Sequence, residues 1–178
     1  MAPPTKLYRR TGDGMEYWEH WTDDGGTTLV HSGKVGERGE VERFDDRDAF
    51  VAHLAEKTHE LYREGFRNIP EDEHETVLVV WPRDGLPADT GELDALWEKI
   101  ERWVNEELGW TGLGHCTGVD LSTELVAMGA VVDADLAVKV LAAALVQSDL
   151  PAGGVIAVRT GGERDEVRWP PERAGEDV

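Results

Sequence analysis

Three groups of residues have types and spacings that could do chemistry. The run His31-Ser32-Gly33-Lys34-Val35-Gly36-Glu37-Arg38-Gly39-Glu40 sets a glycine at every third position beside basic side chains. Glycines so spaced either relieve positive φ in turns and bulges or expose backbone N–H groups to a phosphate. A phosphate loop ordinarily follows a parallel strand and opens a helix, whereas this run lies between antiparallel strands, so turns are the expectation.

Glu16, His20 and His31 could supply two imidazoles and a carboxylate to a metal ion, since Glu16 shares a face with His20 at period two and His31 falls on the next strand. The absence of any local His-x-x-x-His spacing favours ordinary sheet residues. His115-Cys116 near Asp120 has the composition of a thiol nucleophile with its base. Neighbours on a strand point to opposite faces, so a structural cysteine is expected, and the chain is read as having no catalytic residue, metal or cofactor.

These residues must be positioned by strands and helices that the hydrophobic pattern predicts. Thr5–Arg10, Met15–Thr22, Thr27–Lys34 and Glu40–Phe44 read as an antiparallel meander, broken by Gly-Asp-Gly and Asp-Asp-Gly-Gly. A helix then runs from about Asp46 to Glu64, with Phe50, Leu54, Lys57 and Leu61 on one side and Gly65 as its stop. Beyond a Pro-containing acidic joint near Asp72, a strand at Thr76–Trp81 leads to a helix capped by Asp89 or Thr90 and ending at Leu108. Hairpin arms His115–Asp120 and Glu124–Val132, a helix Ala134–Gln147 opened by Asp133, a strand Val155–Arg159 and a short edge strand Val167–Trp169 follow, with a frayed tail from Pro170.

The segment from about Met15 to Arg67 resembles the WGR domain family: Gly33, Lys34, Val35, Gly36 and Gly39 keep the signature pattern, with Lys34 for the usual Arg. Ser32 stands where the family has Trp. The resemblance implies a small sheet crossed by one helix, and contact with DNA ends through the Trp and Arg. Ser32 cannot stack on a sugar, and Lys34 lacks the guanidinium fork. Gly112–Asp120 resembles ferredoxin-like domains of uncharacterised bacterial proteins, and no chemistry comes with that likeness.

The fold class expected is therefore α+β. It comprises a WGR-like antiparallel sheet with one long helix over residues 1–72 and a ferredoxin-like βαββαβ sandwich over 73–178.

Thirty-seven acidic against eighteen basic side chains leave a net charge of −19, a field that repels nucleic acid. Residues 1–72 hold ten basic and sixteen acidic side chains, and 73–178 hold eight and twenty-one. One cysteine excludes an intrachain disulfide and fits a reducing cytoplasm. The first ten residues lack the apolar stretch of a signal peptide, and no apolar run reaches membrane-spanning length.

Seven tryptophans exceed what a core of this size needs; Trp97 and Trp103, six apart on one helix, cannot both sit centrally on one stripe, so one is expected to face another domain or a partner. The function expected is non-enzymatic binding to a protein with a basic surface. The alternative is a nucleic-acid end held by Lys34, Arg38 and Arg43, with Ser32 and the glycines Gly33, Gly36 and Gly39 forming the turn; a second alternative is an enzyme of unrecognised class.

Overall fold

The computed structural model describes residues 5–23, 25–160 and 165–175, and divides the chain into two units, Met1–Pro70 and Glu71–Val178. Asp24 of the expected turn and the last three residues of the tail lie outside the described residues. In the first unit, β1 (Thr5–Thr11), β2 (Gly14–Thr22), β3 (Thr28–Lys34) and β4 (Glu40–Phe44) form an antiparallel meander in sequence order, followed by α1 (Arg47–Arg63).

Alternation along the strands sends Leu7, Trp18 and Val30 to one face. Phe50, Leu61 and the partly buried Leu54 of α1 close over them, with Phe44 and Phe66. Burial of each such side chain contributes about 1.5–3 kcal/mol. The helix stops where Gly65 turns to φ +93°. There the Phe66 N–H bonds the Leu61 carbonyl at 3.0 Å and the Gly65 N–H that of Tyr62 at 3.2 Å, a Schellman closure open to glycine at little cost. The turn delivers Phe66 to the core and lets Arg67 bridge to Tyr8 on β1.

The second unit contains β5 (Glu75–Trp81), α2 (Thr90–Gly109), β6 (Gly114–Asp120), β7 (Leu125–Val131), α3 (Ala134–Gln147), β8 (Val155–Arg159) and β9 (Asp165–Trp169). The sheet order is β6-β7-β5-β8-β9 with every pairing antiparallel. The first four of its strands and the two helices thus have the βαββαβ connectivity and strand order of a ferredoxin-like arrangement, with β9 added at one edge, and the chain is α+β.

The helices cover the face bearing Val77, Gly129 and Trp81: a side chain on Gly129 would meet Leu108, and one on Gly154 would meet Trp81 and Leu145. Leu78, Val80, Val155, Ala157 and Val167 cluster on the opposite face. Two details depart from expectation. Thr117 bulges out of β6 between Cys116 and Gly118, and the tail forms a tight turn at Pro171–Arg173, where Gly175 bonds back to Val167 at 2.8 Å. Among the described residues, no helix is long and apolar enough to cross a membrane.

Candidate functional site

At the end of β3, Gly33 pairs with Tyr17 and Lys34 with Glu16 across the ladder. The chain then turns back: the Val35 N–H bonds the Met15 carbonyl at 2.8 Å, the Glu37 N–H bonds that of Lys34 at 3.0 Å, and Gly36 takes φ +91°. Gly39 is thereby laid on the Tyr17 ring. A methyl group at Gly39 would overlap the Tyr17 hydroxyl and the Ser32 carbonyl, and one at Gly33 would meet the Gly39 Cα. Gly33 and Gly39 thus allow close backbone packing, and the Gly39 N–H donates to the Tyr17 oxygen. Val35 is buried beside them.

The basic residues of the run do not converge. Lys34 lies on the helix side of the sheet, where its Nζ pairs with Asp13 at 3.1 Å. Arg43 is exposed on β4 opposite Leu29, on the other side. Arg38 is exposed in the turn. A shared phosphate held by Lys34 and Arg43 is therefore excluded by strand alternation.

Ser32 faces Trp18 across the ladder, so an indole does lie beside the signature turn, but it is 4% exposed within the helix-side core. Ser32 and Trp18 line a cleft of about 410 Å³ between the sheet end and α1. Arg9 spans its wall, donating to Glu16 through Nε at 3.0 Å and Nη2 at 2.5 Å and to Glu64 through Nη1 at 3.4 Å, with its guanidinium 4.8 Å above the Phe66 ring. Lys57 reaches the cleft from α1 and pairs with Glu60 at 2.9 Å. Each cation of the cleft thus has a carboxylate partner. The roles of Arg9, Lys57 and Glu64 here have no sequence signal, because only the packing of α1 brings them beside Ser32.

On the sheet face opposite α1, a chain of polar groups crosses β1, β2 and β3. Lys6 Nζ lies 3.2 Å from Glu19 Oε2, Glu19 Oε1 lies 2.8 Å from His31 Nδ1, and His31 Nε2 lies 2.7 Å from the Tyr17 hydroxyl. His31 is 1% exposed. With Nδ1–H donating to the carboxylate and Nε2 accepting from the phenol, both ring nitrogens are used. Burial, reinforced by the Glu19 charge, pushes the Tyr17 pKa up to about 12 against the opposing Gly39 bond. Burial and Glu19 raise that of Tyr8 further.

His20 lies on the opposite face, packed on Trp18 and Phe50, with its pKa lowered by burial. The two-histidine metal grouping is thus overturned by strand alternation, and no metal-binding cluster occurs among the described residues.

In the second unit, Cys116 is half-buried, its thiol points to the Gly118 carbonyl at 3.5 Å, and burial raises its pKa, which disfavours the thiolate. His115 is exposed and Asp120 holds the Ser122 hydroxyl at 3.1 Å, so no nucleophile and base converge there. Of the two tryptophans six apart on α2, Trp103 is half-buried and Trp97 is 40% exposed. Asp94 and Glu101, its neighbours at helical spacing, are both exposed. No family model matches the chain, and neither a curated protein nor a solved structure does.

Proposed function

We propose that this protein is a non-enzymatic binding module that acts in the cytoplasm on a protein with a basic surface, and that the exposed Trp97 on α2 marks its docking face. The observation carrying this reading is the Trp97 indole, 40% exposed with Asp94 and Glu101 exposed at helical spacing from it. A partner's Arg or Lys stacked on the ring would gain a cation–π contact while pairing with those carboxylates. The excess of acidic side chains over the whole chain would steer such a partner.

Supporting the non-enzymatic part, His31 in the middle of the polar chain is 1% exposed, with both imidazole nitrogens occupied. The meander crossed by a single helix supports a WGR-like reading of the first unit. DNA-end binding is the weaker alternative, because Lys34 and Arg43 lie on opposite faces of the sheet and the Trp18 indole is buried.

Affinity capture from the source cell, followed by titration of the purified partner, tests the proposal. Trp97→Ala and Glu101→Lys should each weaken binding at least about tenfold, and added salt should weaken the wild-type complex. Equal affinity for wild type and both variants sinks the α2 docking face. A shift of blunt, nicked or single-stranded DNA at low salt, abolished by Lys34→Ala, would establish the alternative instead.

A further inference from the structure

We infer that the cleft between α1 and the end of the first sheet binds a small zwitterion with an apolar body, of the α-amino-acid type. This site is lined by residues of the first unit alone and does not depend on the α2 reading.

The cleft offers both signs of charge with bonding capacity to spare. Glu16 and Glu64 each use Oε2 on Arg9, which leaves each Oε1 to accept from a ligand ammonium. Among the described residues Lys34 and Lys57 are held by exposed pairs to Asp13 and Glu60, which water and salt weaken and a ligand carboxylate can replace. Ser32 adds a hydroxyl that can donate to that carboxylate. Trp18, Leu61 and Phe66 supply the apolar floor.

The volume of about 410 Å³ falls in the range of small-molecule sites, roughly 300–1,000 Å³. A simple anion would meet Glu16 and Glu64, a simple cation would meet the two lysines, and a polyphosphate would bring more negative charge than the lysines can balance. A molecule with one charge of each sign satisfies both walls.

The test is a titration of the ¹⁵N-labelled full chain with L-phenylalanine, followed by amide shifts, beside N-acetyl-L-phenylalanine, which lacks the ammonium, and L-phenylalaninamide, which lacks the carboxylate. L-Phenylalanine should move the amides of Ser32, Gly33, Lys34 and Lys57, and each blocked analogue should bind at least about tenfold more weakly. Glu64→Gln and Lys57→Ala alter exposed side chains, and each should lower affinity several-fold with the amides of the second unit unmoved. Unmoved cleft amides at tens of millimolar ligand, analogues that bind as well as the parent, or unchanged affinity in both variants would each overturn the inference.

Discussion

The Tyr17 hydroxyl and His31 Nε2 lie 2.7 Å apart, and the backbone of Gly39 is folded onto the phenol that joins them. The signature turn and the polar chain are thus one structure: the glycine is required by the tyrosine beneath it. Gly39→Ala should destabilise the protein by about 1–3 kcal/mol through overpacking. Gly12→Ala, with no heavy atom within 4 Å, should change stability by under about 1 kcal/mol. Urea denaturation of the two variants checks this, and equal midpoints would refute the close-approach role.

Removing the phenol hydroxyl takes one hydrogen bond from the buried imidazole. Tyr17→Phe should cost about 0.5–1.5 kcal/mol, the net worth of such a bond. The loss should be smaller when His31 is already Phe, giving a coupling of about 0.5–1.5 kcal/mol in a double-mutant cycle. A coupling near zero would show that the two side chains are neighbours without a bond that matters.

The raised pKa of Tyr17 fixes the sign of the alkaline response. Because the folded value, about 12, exceeds the ordinary 10.0, its contribution is complete below pH 10 and is lost as pH rises toward 12. Tyr8, raised for the same reasons, acts in the same direction. Stability should fall above pH 10 by at most about 1.4 kcal/mol per pH unit for each tyrosine. Tyr17→Phe should flatten that slope in urea titrations at successive pH values. A stability that rises above pH 10 would contradict the burial.

Lys34 stands at the start of the Gly33–Gly39 turn and pairs with Asp13. Its hydrogen bond, helped by that of Thr11, holds the Asp13 carboxyl below the ordinary carboxylate range. Lys34→Ala should therefore raise the Asp13 pKa while leaving the thermal midpoint essentially unchanged, since both side chains are exposed. Carbon-detected NMR titration of the carboxyl reads the change, and an unmoved Asp13 would mean that the pair does not persist in solution.

Much of the fold was legible in sequence for a local reason. β4, α3 and β8 keep the predicted bounds, because alternation, Asp133 as a cap and flanking Gly or Pro are all local signals. What was not legible depends on register and on packing at a distance. His20 and His31 were on neighbouring strands as read, but their pairing sets His20 opposite Val30 and His31 opposite Glu19, so one faces α1 and the other the polar chain. The cleft needs Lys57 and Glu64 from α1 beside Arg9 from β1, a juxtaposition that no spacing encodes. The Thr117 bulge likewise comes from the pairing of β6 with β7.

The first turn of α3 is capped from two places, and this separates two physical contributions. Asp133, extended at φ −155°, accepts from the Leu136 N–H at 2.9 Å. Glu75, at the start of β5, accepts from the Ala134 N–H at 2.9 Å. Four N–H groups at a helix start lack intrahelical partners, and two are satisfied here by carboxylates that also face the positive end of the helix dipole. Asp133→Ala removes both the acceptor and the charge and should cost about 0.5–2 kcal/mol, whereas Asp133→Asn keeps an acceptor and should cost less. Glu75→Gln makes the same separation from the strand side, at a residue whose backbone stays in the ladder opposite Val131. Hydrogen exchange gives the decisive reading: in Asp133→Ala the Leu136 amide should exchange faster, while the Ala134 amide, still held by Glu75, keeps more of its protection. If both amides keep wild-type protection in Asp133→Ala, the cap contributes nothing to the helix start.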